Sequence, residues 1–249
     1  MTHWTESFYP QQDALTGCYA APIHPFHTAL ASRVTAQLGR PGTLLELGAG
    51  GGQFAVSAAL LGHKVTALDL WAGAGEFTRR LARTQGVNVE VVTGSFYDAP
   101  LPRTFDAVCY WDGFGIGTDA EQRHLLTRLH DWLAPSGTGF VEVYTPWYWA
   151  RHAGFTRQDE AYTQVYGFDA DGCRMTDTYT PVTGDPITQS LRCYSPADLR
   201  LLLTGTGLTL TGLWPGGEYD PVTRTWHPEV PLARAQSYTA LLTRESAPS

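Results

Sequence analysis

The sequence is short of cysteine, of clustered positive charge and of long apolar runs, and each shortage removes a class of function. Only four cysteines, Cys18, Cys109, Cys173 and Cys193, stand among 249 residues. They form no C-x-x-C and no zinc-ligand spacing, which argues against a disulfide framework or a zinc module and predicts reduced, mostly buried thiols in a cytoplasmic protein. No run of Lys or Arg occurs, and the formal net charge is −7. Phosphate contact needs clustered positive charge, so no nucleic acid is expected as a partner. The longest apolar runs are far too short to span a bilayer, and no membrane association is expected. Met1–Pro10 is polar and aromatic without an apolar segment, so no signal peptide is expected. Repeats and low-complexity segments are missing too.

What is present is apolar and aromatic. Hydrophobic residues make up 43% of the chain, enough for a real core, and the length suits one large α/β domain or a domain with an added lobe. A helix is predicted over His24–Leu38, ended by Gly39, Pro41 and Gly42. Short strands rich in Val and Leu are predicted at about 43–47, 64–69, 88–93, 105–110 and 138–145, with helices at about 53–62, 73–85 and 120–133 between them. That alternation predicts right-handed βαβ units and a parallel sheet covered on both faces. Ligands bind such sheets beyond the carboxyl ends of the strands, where Glu46, Asp69, Ser95, Trp111 and Tyr144 fall.

From Pro146 the pattern changes. Segments 161–168 and 173–180 read as strands around Asp169-Ala170-Asp171-Gly172, and 188–194 as a third, which predicts a small antiparallel insertion over the carboxyl edge. Ser195-Pro196-Ala197-Asp198 reads as a helix start, with Ser as N-cap. Leu208–Trp214 and Tyr238–Thr243 look like the last two strands, joined by a long Pro- and Gly-rich loop, 215–235, of the kind that often forms a lid. The tail from Glu245 to Ser249 is expected to fray.

The most telling stretch is Leu44-Leu45-Glu46-Leu47-Gly48-Ala49-Gly50-Gly51-Gly52. It reads as strand, glycine turn and helix, a place where backbone approaches a ligand closely. Asp69 follows about 20 residues after the first glycine, the spacing that ribose recognition requires. An adenosine-containing cofactor is therefore expected. In the nicotinamide fingerprint G-x-G-x-x-G, a third Gly counted from Gly48 falls on Gln53. Counted from Gly50 it falls on Ala55, and the looser G-x-G-x-x-A form begins too late in the turn. The pattern E-x-G-x-G-x-G fits Glu46, Gly48, Gly50 and Gly52.

On those residues and Asp69 the chain resembles the class I S-adenosylmethionine-dependent methyltransferases of small-molecule type, strongly from about 40 to 145 and more loosely to 244. The resemblance implies an α/β, three-layer Rossmann-like fold: a mostly parallel seven-stranded sheet finished by a C-terminal antiparallel hairpin. The expected division is an N-terminal lid and first helix (1–40), a cofactor-binding core (41–145), the antiparallel insertion (146–194) and the completion of the core sheet (195–249).

The resemblance also implies roles. Glu46, Gly48, Ala49, Gly50 and Gly52 would serve the amino-acid end of the cofactor, and Asp69 the ribose hydroxyls. Leu70, Ser95 and Phe96, with Trp71, would border the adenine. Relatives commonly carry Asp where this chain has Ser95, so the adenine contact is weakened or shifted to Asp98. Trp111 ends the strand that faces the sulfonium and the substrate. The N-terminal segment would fold across the cofactor, bringing Tyr9 or Tyr19 to its carboxylate. The implied reaction moves a methyl group to O, N or C of a small organic acceptor by in-line displacement, leaving S-adenosylhomocysteine. Asp112 is the best-placed general base, although a strand-end Asp before Gly is also an ordinary turn former. His24, His27 and His152 are alternatives, and Glu142 is either a buried hydrogen-bonded acid or a site acid. His63 reads as a solvated turn residue. No metal is expected. Trp111, Phe114, Trp147, Tyr148 and Trp149 predict an aromatic-lined pocket for the acceptor. Two other readings stay open: a methyltransferase-fold protein that binds the cofactor without transfer (an isomerase, a cyclase or a non-catalytic partner), and a nicotinamide dehydrogenase, which the glycine placement disfavours.

Overall fold

The computed structural model describes residues 4–220 and 223–245; the predicted fraying of 246–249 lies outside them. In chain order the elements are α1 (Trp4–Thr16), a 3-10 turn (Cys18–Ala20), α2 (Pro25–Leu38), β1 (Thr43–Leu47), α3 (Gln53–Leu60), β2 (Lys64–Asp69), α4 (Ala72–Gln85), β3 (Val89–Thr93), β4 (Phe105–Tyr110), α5 (Asp119–Trp132), β5 (Leu133–Tyr144) and α6 (Pro146–Arg151). There follow β6 (Thr156–Gln158), β7 (Tyr162–Asp169), β8 (Arg174–Pro181), β9 (Ile187–Arg192), α7 (Pro196–Leu203), β10 (Leu208–Pro215), β11 (Glu218–Asp220), β12 (Thr225–His227) and β13 (Ser237–Arg244).

Seven strands form the central sheet in the order β10-β13-β5-β4-β1-β2-β3. β1 to β5 pair in parallel, and β13 runs antiparallel between β5 and β10. The chain winds one way from β1 through β2 to β3 and the other way from β4, so the switch point lies between β1 and β4. Side chains alternate across β1: Leu45 and Leu47 join the core beneath α5 and α7, while Leu44 packs with Phe54 and Val34 beneath α2 and α3. Glu46 shares the Leu44 face, which places a carboxylate under the start of α3.

Local chemistry explains the helix starts. Ser195 Oγ accepts from Asp198 N at 3.2 Å and Asp198 Oδ2 accepts from Ser195 N at 3.0 Å, closing a capping box with Pro196 at the first helical position. Thr118 and Glu121 cap α5 in the same way. β5 begins at Leu133 rather than near 138, because the extended C-cap of α5 runs straight into the strand through Pro135-Ser136-Gly137, which reads locally as a turn.

Three features depart from the sequence reading. The first is helix α1, which seats Phe8 against Tyr162 and Tyr179 of the insertion. The second is that β6 to β9 form a four-stranded sheet, one strand more than predicted. The third is that the 215–235 segment contains the β11–β12 hairpin, fastened by Glu218, which accepts from Arg151 at 2.8 Å and from Arg234 at 2.7 Å. No helix among the described residues is long and apolar enough to cross a membrane.

Candidate active site

A cavity of about 790 Å³ opens at the carboxyl ends of β1, β2 and β4, over the switch point. Its walls come from the β1–α3 turn, the ends of β2, β4 and β5, the 95–97 turn, and the N-terminal α1 and 18–27 segment. It lies at the upper end of the range of small-molecule sites, with room for two ligands of moderate size.

The glycine turn forms one end. Gly48, Gly50 and Gly52 have φ of 62°, 55° and 78°, a left-handed sequence that side chains resist. Asp69 organises the turn from beside it: Oδ2 accepts from Gly50 N at 2.8 Å and Oδ1 from Trp71 N at 2.9 Å. Burial pushes this carboxyl up, and the two N–H donors pull it back. Glu46 is 4% exposed, and its Oε2 has no hydrogen-bond partner. Burial, then the neighbouring Asp69 charge, raises its carboxyl well above the ordinary range.

The 18–27 segment closes over this end. The Tyr19 ring stands where a Cβ on Gly50 would come within 3.2 Å of it, and a Cβ on Gly51 would strike the Tyr19 carbonyl. Gln53 Nε2 donates to the carbonyls of Cys18 and Ala21, each at 3.1 Å, and sits 3.4 Å from that of Tyr19. Gln53 thus fastens the segment to the start of α3. The sequence offered a clue, since this is where a nicotinamide fingerprint would carry Gly.

Glu46, Gly48, Ala49, Gly50, Asp69, Leu70, Ser95, Phe96, Trp111, Asp112 and Tyr19 all line the cavity. Gly52 does not: it lies behind the turn, where a Cβ would strike Thr78 at 2.6 Å, so this glycine serves the close approach of α4. Trp71 is also off the wall, packed between Tyr19 and Phe77. Asp98 is exposed and away from the cavity, so no contact shifts to it. Ser95 Oγ accepts from Tyr97 N at 3.1 Å and holds its own turn.

The aromatic expectation is corrected in part. Trp111 faces the cavity, packed edge-on against Phe54, with its Nε1 unpartnered. Phe114 belongs to the core under α5, Tyr148 and Trp149 are buried beneath the insertion, and Trp147 donates to Leu232 O at 3.0 Å. The rings on the wall are instead Tyr9, Phe26, Phe54, Phe96, Tyr97, Tyr110 and Tyr144, with Tyr19 and Trp111.

At the far end Asp112 has a φ of 52°, a left-handed conformation tolerated by Asp and Asn, which aims its side chain back over the strand ends. The Tyr144 hydroxyl donates to its Oδ1. Glu142 fixes the backbone, Oε2 accepting from Asp112 N at 3.1 Å, and is held by Ser237 Oγ at 2.6 Å. Removal from bulk water, then the Glu142 charge, raises the Asp112 carboxyl to about 7 against the pull of Tyr144. Asp112 is accessible from the cavity, so this push is weaker while water fills the space and full once ligands displace it.

The histidines divide. His24 Nδ1 accepts from Phe26 N at 3.2 Å and His27 Nδ1 from His24 N at 3.0 Å, so both rings line the cavity with one nitrogen committed to the α2 cap. His152 is buried and stacked on Tyr148, outside the cavity. His63 is buried rather than solvated, bonded to Thr35 Oγ1 at 2.8 Å and Gly42 N at 3.2 Å. Among the described residues no group of three His, Cys, Asp or Glu side chains is arranged to hold a metal ion.

Residues 44–137 match the family model described as "Methyltransferase domain". Among curated proteins there is no match. Among solved structures, the CcbJ methyltransferase from Streptomyces caelestis is similar at 20% identity over 92% of this chain and 92% of its own, with a TM-score of 0.72. CalS10, an amino pentose methyltransferase from Micromonospora echinaspora solved with S-adenosylmethionine, is similar at 19% identity over 90% of this chain and 92% of its own, with a TM-score of 0.60. The 1,6-didemethyltoxoflavin-N1-methyltransferase from Burkholderia thailandensis is similar at 19% identity over 97% of this chain and 85% of its own, with a TM-score of 0.56. At such identities these structures speak for the fold, which this chain shares with S-adenosylmethionine-dependent methyltransferases, and the family match marks residues 44–137 as a methyltransferase domain.

Proposed function

We propose that the protein transfers a methyl group to a protic nitrogen or oxygen of a small organic acceptor by in-line displacement, with Asp112 accepting the acceptor's proton. The observation that carries this reading is that one cavity joins the glycine turn and Asp69 at one end to Asp112, Glu142 and Tyr144 at the other. The residues fit the cofactor. The unpartnered, buried Glu46 Oε2 lacks a donor that an ammonium group would supply. The turn at Gly48 and Gly50 leaves backbone free to approach a carboxylate, with Tyr19 above it. Asp69 keeps lone pairs for the ribose hydroxyls, and Leu70 and Phe96 offer apolar faces to the adenine.

When bound, S-adenosylmethionine supplies a methyl group already activated on sulfur. The chain's tasks are then alignment, exclusion of water and removal of one proton. Walls from the strand ends hold the two reactants in line, which alone supplies much of the acceleration. α1 and the 18–27 segment cover the cofactor end and keep water out. Asp112 is suited to the proton, since a base works best with its pKa near the working pH. Tyr144 and Glu142 are positioning residues that fix its rotamer and backbone. By their names CalS10 is an amino pentose methyltransferase and the Burkholderia enzyme an N1-methyltransferase of 1,6-didemethyltoxoflavin, and both keep the same overall architecture.

The test is formation of S-adenosylhomocysteine from S-adenosylmethionine in the presence of pooled small amines, phenols and alcohols. Acceptor-dependent product, lost in Asp112→Asn, is expected. Cofactor binding without product from any pool would move the protein to the non-transferring reading.

A further inference from the structure

The charges around the cavity are one-sided. Glu46, Asp69, Asp112, Glu121 and Glu142 contribute to its wall, and no Lys or Arg does. Two of these acids belong to the cofactor end, where the reading above gives Glu46 the cofactor's ammonium group and Asp69 its ribose hydroxyls. At the other end Asp112 and Glu142 receive only neutral donors: the Tyr144 hydroxyl, the Ser237 hydroxyl and the Asp112 N–H. Among the described residues neither enters an ion pair. Behind them Asp177, 4% exposed, is held by Gln164 at 2.9 Å and, weakly, by Gln189 at 3.4 Å; Gln189 itself reaches the cavity wall. The Asp177 charge is felt at Asp112. Two carboxylates, Asp112 after β4 and Glu142 of β5, thus face one end of the cavity with a third, Asp177 of β8, behind them, and no Lys or Arg lines that cavity to balance them. Filling the cavity would take these charges out of water, which is costly unless the ligand compensates them, and low-dielectric walls concentrate their field on whatever enters.

We propose that the acceptor is a basic amine, which enters as its ammonium ion and is held by Asp112 with Glu142 and Asp177 supplying the surrounding negative field. The proposal rests on the methyl-transfer reading above. The ammonium N–H nearest Asp112 gives its proton to the carboxylate, freeing the nitrogen lone pair. That pair forms the new nitrogen–carbon bond to the methyl group as the carbon–sulfur bond breaks, its electrons remaining on sulfur. The products are a methylated ammonium ion, neutral S-adenosylhomocysteine and one proton, passed from Asp112 to solvent. An anionic acceptor is repelled at the same place, so this end also sets specificity.

The experiment uses three matched probes, benzylamine, benzyl alcohol and benzoate, titrated calorimetrically into the full chain saturated with S-adenosylhomocysteine. Benzylamine is expected to bind at least about tenfold tighter than benzyl alcohol, the scale of one charge-assisted contact, with benzoate undetected. In Asp112→Asn the preference should fall to within about twofold; Asn suits the left-handed backbone there, so the fold is kept. Glu142→Gln, an independent variant, should narrow it as well. Equal or tighter binding of the alcohol, measurable benzoate binding, no benzylamine binding, or an unchanged preference in both variants would overturn the amine assignment. Acceptor-dependent formation of S-adenosylhomocysteine would then still support methyl transfer. Failure of the wild-type protein to bind S-adenosylhomocysteine would instead remove the underlying reading.

Discussion

Replacing Asp69 with Ala should damage the cofactor site twice over. The carboxylate holds Gly50 N at 2.8 Å and Trp71 N at 2.9 Å, so it fixes the glycine turn, and its remaining lone pairs face the cavity. Alanine removes the ribose contacts outright and leaves two backbone N–H groups without their acceptor. A hydrogen bond to a charged group is worth about 1.5–3 kcal/mol, so the loss of the ribose contact alone predicts a fall in cofactor affinity of about 10- to 150-fold. The freed Gly50 N–H adds a stability cost of similar size, visible as a lower urea midpoint. The assay pairs calorimetric titration of S-adenosylhomocysteine with urea unfolding of the same variant. A variant that loses stability but binds within about twofold of wild type would refute the pose, because Asp69 would then serve the turn alone.

Three further outcomes are expected. Methyl transfer should rise with pH through about 7, because Asp112 must be ionised to take the proton and its carboxyl is raised to about 7 by burial and then by Glu142. The groups facing it, Glu142 and Tyr144 of β5, Asp177 of β8, Tyr166 of β7 and Tyr9 of α1, include no cation to pull it back down; a flat profile across that range would contradict its role. Gln53→Ala frees the carbonyls of Cys18 and Ala21 and should loosen the 18–27 segment by about 1–2 kcal/mol, read as faster S-adenosylhomocysteine dissociation; an unchanged off-rate would show that the segment is held elsewhere. Asp106 accepts from Thr43 N at 2.7 Å and Thr43 Oγ1 at 2.8 Å, bonds that hold its carboxyl below the ordinary value. Asp106→Ala should cost about 2 kcal/mol at neutral pH. Since a depressed carboxyl stabilises fully above its unfolded pKa and ceases to as pH falls through the lower, folded one, the difference from wild type should begin to shrink at about pH 4 and vanish only once the pH is below the folded pKa; a difference that persisted there would place its origin in packing.

How much of this was legible in the sequence depends on the range over which each feature is encoded. The strand-turn-helix around Glu46 and the placement of Asp69 are local, set by apolar runs and glycines within 26 residues, and the parallel sheet and the last two strands followed from the same kind of signal, while the antiparallel pairing of those two strands came from the family resemblance alone. The α7 cap was readable for the same reason. Helix α1 was not, because its apolar residues are sparse, Pro10 interrupts it, and the helix seats Phe8 on Tyr162 and Tyr179, partners far along the chain. The aromatic wall was misassigned because Pro146–Arg151 turns into a helix that carries Tyr148 and Trp149 under the insertion, while Tyr9, Phe54 and Tyr97 reach the cavity from distant segments. Gly52 shares a motif with Gly48 and Gly50, but the turn rotates it towards Thr78, and only three-dimensional geometry reveals that.

The most direct test is titration of the purified protein with S-adenosylhomocysteine, with NAD as the parallel ligand. Micromolar binding of S-adenosylhomocysteine and none of NAD is the predicted result. Binding of NAD in its place, or of neither, would contradict the assignment of the glycine turn and Asp69 to this cofactor.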